Sequence, residues 1–126
     1  DTLSALVSSL VGADLLILLS DIDGLYTDDP HSNPDAMLIK DVEEIDERLY
    51  HMAKESTGSD VGTGGMATKL TAAKIATYSG ADMIISNGNN VETILDIMDN
   101  DFIGTTFHAQ ENPNFQLANY IMETLG

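Results

Sequence analysis

Apolar residues near the start of the chain recur with the spacing of a helix. Within residues 3–11 they stand at positions i, i+3, i+4, i+7 and i+8, which is the stripe of an amphipathic helix. Asp1 or Thr2 can cap the first turn, and Gly12 is a suitable residue to end the last one. The pattern therefore predicts that the chain opens on a helix.

A continuous apolar run follows at residues 15–19 and is closed by Ser20 and Asp21. Runs of this length that are apolar on both faces are typical of a central strand in a parallel sheet. In open α/β sheets, ligands bind beyond the carboxyl ends of the strands. We therefore expect Ser20 and Asp21 to lie at a ligand-binding edge.

The rest of the chain alternates between strand-like and helix-like patterns. Residues 21–35 are a long, turn-rich connection, which favours a functional or covering role over a simple link. We predict strands at 37–39, 83–85 and 103–107, and helices at 45–54, 66–78, 91–98 and 115–125. Gly80 is positioned to end the helix at 66–78. The expected fold class is α/β, a three-layer α/β/α sandwich with a mostly parallel sheet.

A glycine-rich segment precedes the predicted helix at 66–78. Gly62, Gly64 and Gly65 are three glycines in four positions, and Lys69 comes at the end of the first helical turn. Glycines at a helix N-terminus let backbone N–H groups approach an anion, and a lysine there can oppose phosphoryl charge. The segment is no Walker A motif, because Thr68 precedes the lysine and a leucine follows it. A flexible loop with an ordinary helix lysine is the alternative.

Composition limits the classes of function. The 126 residues suffice for one domain, and a net charge of −16 argues against binding nucleic acid or anionic membranes. The chain has no cysteine, which excludes disulfides and thiolate metal sites. No apolar run approaches the length of a membrane span, and the cytoplasm is the default compartment. The phosphates of a ligand bound to this acidic chain would need local positive groups: a helix N-terminus, a lysine and a divalent metal ion.

Several other polar residues carry weaker signals. Tyr26 could stack on a base or pack against its own loop. Lys74 lies roughly 140° around the helix from Lys69, and we interpret it as a surface residue. The acidic residues from Asp21 to Asp29 do not match a calcium-binding EF-hand, because the required Gly and Glu positions are occupied by Tyr26 and Ser32. The three histidines make no ligand pair, and we expect each to be structural or solvated: His31, His51 and His108.

Taken together, these motifs resemble the amino acid kinase superfamily. The resemblance lies in residues 18–27 (Leu-Leu-Ser-Asp-Ile-Asp-Gly-Leu-Tyr-Thr), in Asp29-Pro30 and in residues 62–69 (Gly-Thr-Gly-Gly-Met-Ala-Thr-Lys). Residues 13–14 and 104–109 (Gly-Thr-Thr-Phe-His-Ala) are similar to the glutamate 5-kinase family in particular. That resemblance implies ATP- and Mg²⁺-dependent phosphorylation of the γ-carboxylate of L-glutamate, the first step of proline biosynthesis.

The resemblance also implies roles for individual residues. Lys69 takes the charge-stabilising catalytic role, and Asp1 matches the end of the family's substrate loop. No protein ligand to a metal is implied. The expected ATP-binding residues are Ser20, Asp21, Thr63, Gly64, Gly65, Met66, Ala67, Thr68 and Lys69.

The similarity covers the C-terminal, ATP-binding portion of a kinase domain, residues 1–126. The family's N-terminal substrate portion and the PUA domain of many members have no counterpart here. We therefore expect this chain to bind nucleotide weakly and to be inactive, while the full-length parent is a homo-oligomeric enzyme. The alternatives are a superfamily member acting on another carboxylate or on a phosphate, a noncatalytic nucleotide-binding regulatory module, and an acidic interaction domain.

Overall fold

The computed structural model describes residues 2–57, 65–89, 92–110 and 122. In chain order the elements are α1 (Thr2–Val11), β1 (Leu15–Ser20), β2 (Asp41–Val42), α2 (Glu47–Thr57), α3 (Met66–Tyr78), β3 (Asp82–Asn87), α4 (Thr93–Met98) and β4 (Gly104–Phe107). The sheet has the order β1-β3-β4-β2, with β1 parallel to β3, β2 parallel to β4, and β3 antiparallel to β4. The predicted α/β fold with a mostly parallel sheet is confirmed.

One face of the sheet carries the main core. Met83 and Ile85 of β3 and Phe107 of β4 are fully buried against α3, and α1 and α2 add Ala5, Leu49 and Ala53 to the same cluster. Ser86 has the opposite parity to Ile85, so its side chain lies on the other face. Thr93 and Asp96 of α4 line one cleft with Ser86, which places α4 on that second side. The helices therefore occupy both faces.

The end of α3 follows the predicted signal. Gly80 has a φ of +98°, a left-handed conformation that favours glycine. The Gly80 N–H donates to the Thr77 carbonyl at 3.1 Å, and the Ala81 N–H donates to the Ala76 carbonyl at 3.0 Å. This pair of bonds is the Schellman motif, which satisfies the last carbonyls of the helix and turns the chain into β3.

The start of α2 differs from its prediction by two residues. The pattern placed the helix from residue 45, whereas α2 begins at Glu47. The Asp46 carboxylate accepts a hydrogen bond from the Leu49 N–H at 2.9 Å, so Asp46 is the N-cap. Ile45 packs against the core from outside the helix.

The prediction that residues 15–19 form a central strand is wrong for the described part of the chain. The strand and its parallel pairing are as expected, but β1 lies at an edge of the sheet with β3 as its neighbour there. Leu15 and Leu19 are 40% and 46% exposed. An apolar run shows that both faces of a strand are apolar. It does not show whether the strand has a neighbour on one side or on both sides in the sheet.

Of the apolar stripe of α1, Leu6 packs against the core, and the other four residues face away from it. Leu3, Leu10 and Val11 are between 72% and 74% exposed. The helix instead packs through its small residues, since Ala5 and Ser8 are buried. Small side chains let α1 approach α3 closely, and the Ser9 and Ser79 hydroxyls meet at 2.8 Å.

Three further predictions need correction or lie outside the described residues. Residues 37–39 form no strand of the sheet, because only Leu38 makes an isolated bridge, to Tyr26, and pairing with β4 begins at Asp41. Of the helix predicted at 91–98, α4 covers Thr93–Met98, and it buries Ile97. The helix predicted at 115–125 falls outside the described residues except for Met122, which is helical.

None of the described helices combines the length and the apolar character needed to cross a membrane.

Candidate functional site

Two strand ends bring polar residues together at the carboxyl edge of the sheet. Because β1 and β3 are parallel, Ser20 pairs with Asn87, and the Gly88 N–H donates to the Ser20 carbonyl at 2.8 Å. The Asn87 side-chain amide donates to the Asp23 carboxylate at 3.2 Å. The segments after both strands are therefore joined where α/β sheets bind ligands.

Ser20 and Asp21 form a compact turn at this edge. The Ser20 hydroxyl donates to the Asp21 carboxylate at 3.3 Å and accepts from the Ile22 N–H at 3.4 Å. Asp21 itself is exposed. The serine thus orders the turn while the carboxylate faces solvent, which leaves Asp21 accessible to a bound group.

The connection at residues 21–40 is a hairpin fixed to the sheet. Its two arms pair through the Thr27 N–H to the Met37 carbonyl at 2.9 Å and the Ile39 N–H to the Leu25 carbonyl at 2.8 Å. The fully buried Thr105 hydroxyl of β4 accepts from the Leu25 N–H at 2.9 Å and donates to the Ile39 carbonyl at 2.6 Å. One side chain therefore anchors both arms of the hairpin to β4.

The acidic residues at the hairpin tip build turns. Asp28 accepts from the Asn33 amide at 3.0 Å and from the Asp29 N–H at 2.8 Å, and these bonds lower the pKa of Asp28 below its ordinary value. Asp29 accepts from the His31 N–H at 2.9 Å. The carboxylates satisfy backbone and amide donors of their own loop.

Tyr26 contacts its own loop. Its hydroxyl donates to the Asp23 carboxylate at 3.2 Å, and burial followed by the charge of Asp23 raises the pKa of Tyr26. The local packing alternative is thus confirmed for the hydroxyl, while stacking of the ring on a base stays a prediction.

The N-terminus of α3 lies at the same edge as the end of β3, because the helix runs antiparallel to the strand that follows it. Gly65 is the exposed N-cap, with an extended backbone at φ −65° and ψ 177°. The Thr68 and Lys69 N–H groups donate to the Gly65 carbonyl at 3.0 and 3.3 Å. By helix geometry, the N–H groups before Thr68 lack an acceptor within the helix and can meet an anion.

Lys69 is 8% exposed on the first turn of α3, next to the buried Met66 and Leu70. Lys74 belongs to a different environment, since its ammonium lies 5.8 Å from the centroid of the Tyr78 ring. That the two lysines do not share a target stays a prediction. Three expected site residues, Asp1, Thr63 and Gly64, lie outside the described residues.

An open cleft of about 660 Å³ adjoins this edge. The hairpin contributes Asp23, Leu38 and the nearby Lys40, while β3, α4 and the α4–β4 loop contribute Ser86, Asn87, Asn89, Thr93, Asp96, Asp101, Phe102 and Ile103. Among these residues, only Asp23 belongs to a motif recognised in the sequence, at residues 18–27. The others carry no local motif, because they meet through the antiparallel pairing of β4 with β3.

His108 has a structural role, as predicted. Its Nε2 atom lies 2.9 Å from the Asp41 carboxylate and 3.7 Å from that of Glu43. The bond to Asp41 raises the pKa of His108 above 6.5, against a smaller opposing effect of partial burial. The pair ties the end of β4 to β2.

We expect His108→Gln to lower stability only in acidic and neutral solution. Because the folded-state pKa is raised, the stabilisation is complete below the ordinary imidazole pKa and is lost as pH rises through the folded value. His108 is 36% and Asp41 64% exposed, so solvent screening limits the effect to about 0.5 kcal/mol at pH 5.5. Urea unfolding at pH 5.5 and pH 9 measures the difference. An equal loss at both pH values would assign the effect to packing.

Comparison with known proteins gives the class of this chain. Residues 1–87 match the amino acid kinase family, and the chain belongs to that family. Among curated relatives, it is 52% identical to glutamate 5-kinase of Clostridium perfringens over 88% of its own length, and 51% identical to glutamate 5-kinase of Proteus mirabilis over 90%. It spans 41% and 30% of the lengths of those two proteins.

Solved structures agree on the fold. Isopentenyl phosphate kinase of T. acidophilum superposes with a TM-score of 0.60 at 29% identity, over 84% of this chain and 38% of that one. Uridylate kinase of Archaeoglobus fulgidus gives 0.59 at 26% identity, over 82% and 44%. The four-stranded sheet and its helices are thus part of the amino acid kinase fold.

Proposed function

We propose that residues 1–126 are the ATP-binding, C-terminal portion of the kinase domain of a glutamate 5-kinase. The complete enzyme transfers the γ-phosphoryl group of ATP to the γ-carboxylate of L-glutamate, forming γ-glutamyl phosphate in the first step of proline biosynthesis. The observation that carries this proposal is the 51–52% identity to glutamate 5-kinases across 88–90% of the chain.

The arrangement at the carboxyl edge of the sheet supports a nucleotide role. Phosphoryl transfer requires little covalent chemistry from the protein, but it requires that both reactants be positioned and that developing charge be stabilised. The N-terminus of α3 presents backbone donors and Lys69 at the edge where Ser20 and Asp21 end β1. In a chain with a net charge of −16, such local donors are what an ATP polyphosphate needs.

The carboxylates of the described residues fit a Mg²⁺ ion that arrives bound to the nucleotide. Among the described residues, no group of three histidine or carboxylate side chains is arranged to hold a metal ion. Mg²⁺ binds through phosphates, waters and only one or two carboxylates, so a preformed cage is unnecessary. Asp21, exposed at the strand end, is the carboxylate we assign to this role. The ion would draw charge from the transferred phosphoryl group.

The strongest rival is a family member that phosphorylates another acid or a phosphate group. The isopentenyl phosphate and uridylate kinases share the fold, but their identity to this chain is only 29% and 26%. A panel of L-glutamate, N-acetylglutamate, carbamate and uridine monophosphate, tested with the full-length protein, separates the two proposals. Turnover of any member other than glutamate as the best substrate would overturn ours.

We expect MgATP to raise the melting temperature of this chain. A ligand that binds only the folded state stabilises it by RT ln(1 + [L]/Kd), so even millimolar affinity gives a measurable shift at about 10 mM MgATP. Asp21→Asn should reduce the shift. Asp35→Asn, an exposed residue on the same hairpin, should retain it. Absence of any shift would favour an acidic interaction domain. A shift without turnover in the full-length protein would favour a noncatalytic regulatory module.

A further inference from the structure

Asn87 ends β3 and is followed by Gly88, and the two residues form the single Asn-Gly pair of the sequence. The backbone nitrogen of the glycine can attack the side-chain amide carbon of the asparagine, because no Cβ at residue 88 blocks the approach. The new C–N bond expels ammonia and closes a succinimide ring. Water then opens the ring at either carbonyl, which gives an aspartate or an isoaspartate linkage at residue 87. The pair therefore reacts with solvent water alone.

The contact between β1 and β3 requires a glycine at residue 88. A Cβ added there would lie 2.8 Å from the Leu19 Cβ atom, which is closer than two side chains approach one another. A bulkier residue after Asn87, which would slow the reaction, is therefore excluded by the packing of the two strands. Gly88 is exposed, so water reaches the pair.

Three hydrogen bonds hold the reacting groups. The Gly88 N–H donates to the Ser20 carbonyl at 2.8 Å, so the attacking nitrogen faces β1. The Asn87 side-chain amide donates to the Asp23 carboxylate at 3.2 Å, and its carbonyl oxygen accepts from the Asn89 N–H at 3.0 Å. We call the Gly88–Ser20 and Asn87–Asp23 bonds the Asn87 joint. Both bonds must open before the nitrogen can turn onto the amide carbon, because strand side chains stand roughly perpendicular to the ladder bonds.

We propose that Asn87 is a site of spontaneous deamidation and that opening of the Asn87 joint sets its rate. The reaction replaces an amide donor with a carboxylate that faces the carboxylate of Asp23. Like charges at this distance repel, so the product keeps the joint open. The hairpin then loses its bond to the end of β3 and retains its anchor at Thr105. This inference does not depend on which acid the complete protein phosphorylates.

The rate of deamidation in the folded and the unfolded chain tests the proposal. The purified chain is incubated in mildly alkaline buffer, once folded and once in urea that unfolds it. Peptide mass spectrometry follows the gain of one mass unit at residue 87, and labelling by an isoaspartyl methyltransferase counts the isoaspartate product. We expect Asn87 to react in both samples, and about tenfold or more slowly in the folded chain. Asn33 should not react, because the proline after it has no N–H.

Three variants separate opening of the joint from global unfolding. Asp23→Ala removes the acceptor of the Asn87 amide and should speed the reaction of the folded chain about three- to tenfold, the equivalent of one hydrogen bond. Tyr26→Phe removes the other side-chain bond to Asp23 and should leave the rate nearly unchanged. Ile75→Val loosens the fully buried core side of α3 and should also leave the rate unchanged. All three variants should react alike in urea.

A fourth variant tests the state after the reaction. Asn87→Asp reproduces the charged product and retains the side-chain oxygen that accepts from the Asn89 N–H. We expect the Gly88 amide to exchange with solvent about tenfold faster in this variant, because the two carboxylates hold the joint open. Unchanged exchange of the Gly88 amide would refute the open product.

Two further results would overturn the proposal. One is an equal rate of deamidation in the folded and the unfolded chain, which would show that the joint gives no protection. The other is an acceleration by Ile75→Val as large as that by Asp23→Ala, which would assign the reaction to global unfolding. If Asp23→Ala does not fold, the unmodified chain with and without urea, together with Ile75→Val, decides the question.

Discussion

Replacing Lys69 with alanine is expected to lower the kcat of the full-length kinase by about 10²–10³-fold, with little change in the KM for ATP. The lysine lies in the first turn of α3, at the helix end that favours anions. An ammonium group placed there opposes the charge that builds on the transferred phosphoryl oxygens. Because that charge is larger in the transition state than in bound ATP, its loss should affect kcat more than binding.

The comparison needs two further variants. Lys69 is 8% exposed, so removing its whole side chain also leaves a cavity. Lys69→Met retains most of the volume and should show the same fall in kcat. Lys74→Ala removes a lysine that lies over the Tyr78 ring on the same helix, and it should leave kcat nearly unchanged. An unchanged kcat in both Lys69 variants would refute the catalytic role.

Local signals in the sequence predicted the elements well. The alanine-rich helix α3 and its glycine end, the apolar strand β3 and the helix α1 all follow from short-range periodicity and capping. Such signals depend on neighbouring residues alone, so they survive without any knowledge of the tertiary structure. The position of α2 was off by two residues because the Asp46 cap was not recognised.

Signals that depend on distant parts of the chain were less informative. The pattern of α1 correctly gave a helix but not the face that packs, because the buried positions are the small residues Ala5 and Ser8. The same limit applies to β1, whose apolar run could not distinguish an edge from a centre. Both deviations lie in residues 2–20, a segment with a single charged side chain.

In the candidate site, too, local motifs predicted some residues and missed those that depend on distant parts of the chain. Ser20, Asp21 and the start of α3 were predicted from motifs and lie at one edge of the sheet. Thr105 was missed as an anchor, because its partners Leu25 and Ile39 are 80 and 66 residues away in sequence. Its only local signal was its place in a segment that resembles glutamate 5-kinases.

Thr105→Val is expected to destabilise the chain by about 2–4 kcal/mol, although the two side chains have nearly the same shape. The Thr105 hydroxyl is fully buried and satisfies the Leu25 N–H and the Ile39 carbonyl. Valine would leave the buried Leu25 N–H without this partner, which carries a desolvation cost, and would also remove the bond to the partly buried Ile39 carbonyl. Urea unfolding with an unchanged m-value measures the loss.

Neighbouring positions give the controls. Thr106→Val, on the half-buried position next along β4, should change stability by less than about 0.5 kcal/mol. Thr105→Ser keeps the hydroxyl and should recover much of the stability. Gly24→Ala would crowd the same contact. The added Cβ would lie 2.6 Å from the Thr105 hydroxyl oxygen and 3.1 Å from the Thr105 backbone nitrogen.

Thr105→Val should also impair MgATP binding, in addition to lowering the stability of the fold. The hairpin that Thr105 anchors extends from the turn bearing Asp21, and its Asp23 is bonded to Asn87 at the end of β3. Releasing the hairpin would misplace these groups even in molecules that remain folded. We therefore expect Thr105→Val to reduce the MgATP-induced shift at temperatures where most of the chain is folded. A full shift, combined with the predicted loss of stability, would show that the anchor serves folding alone.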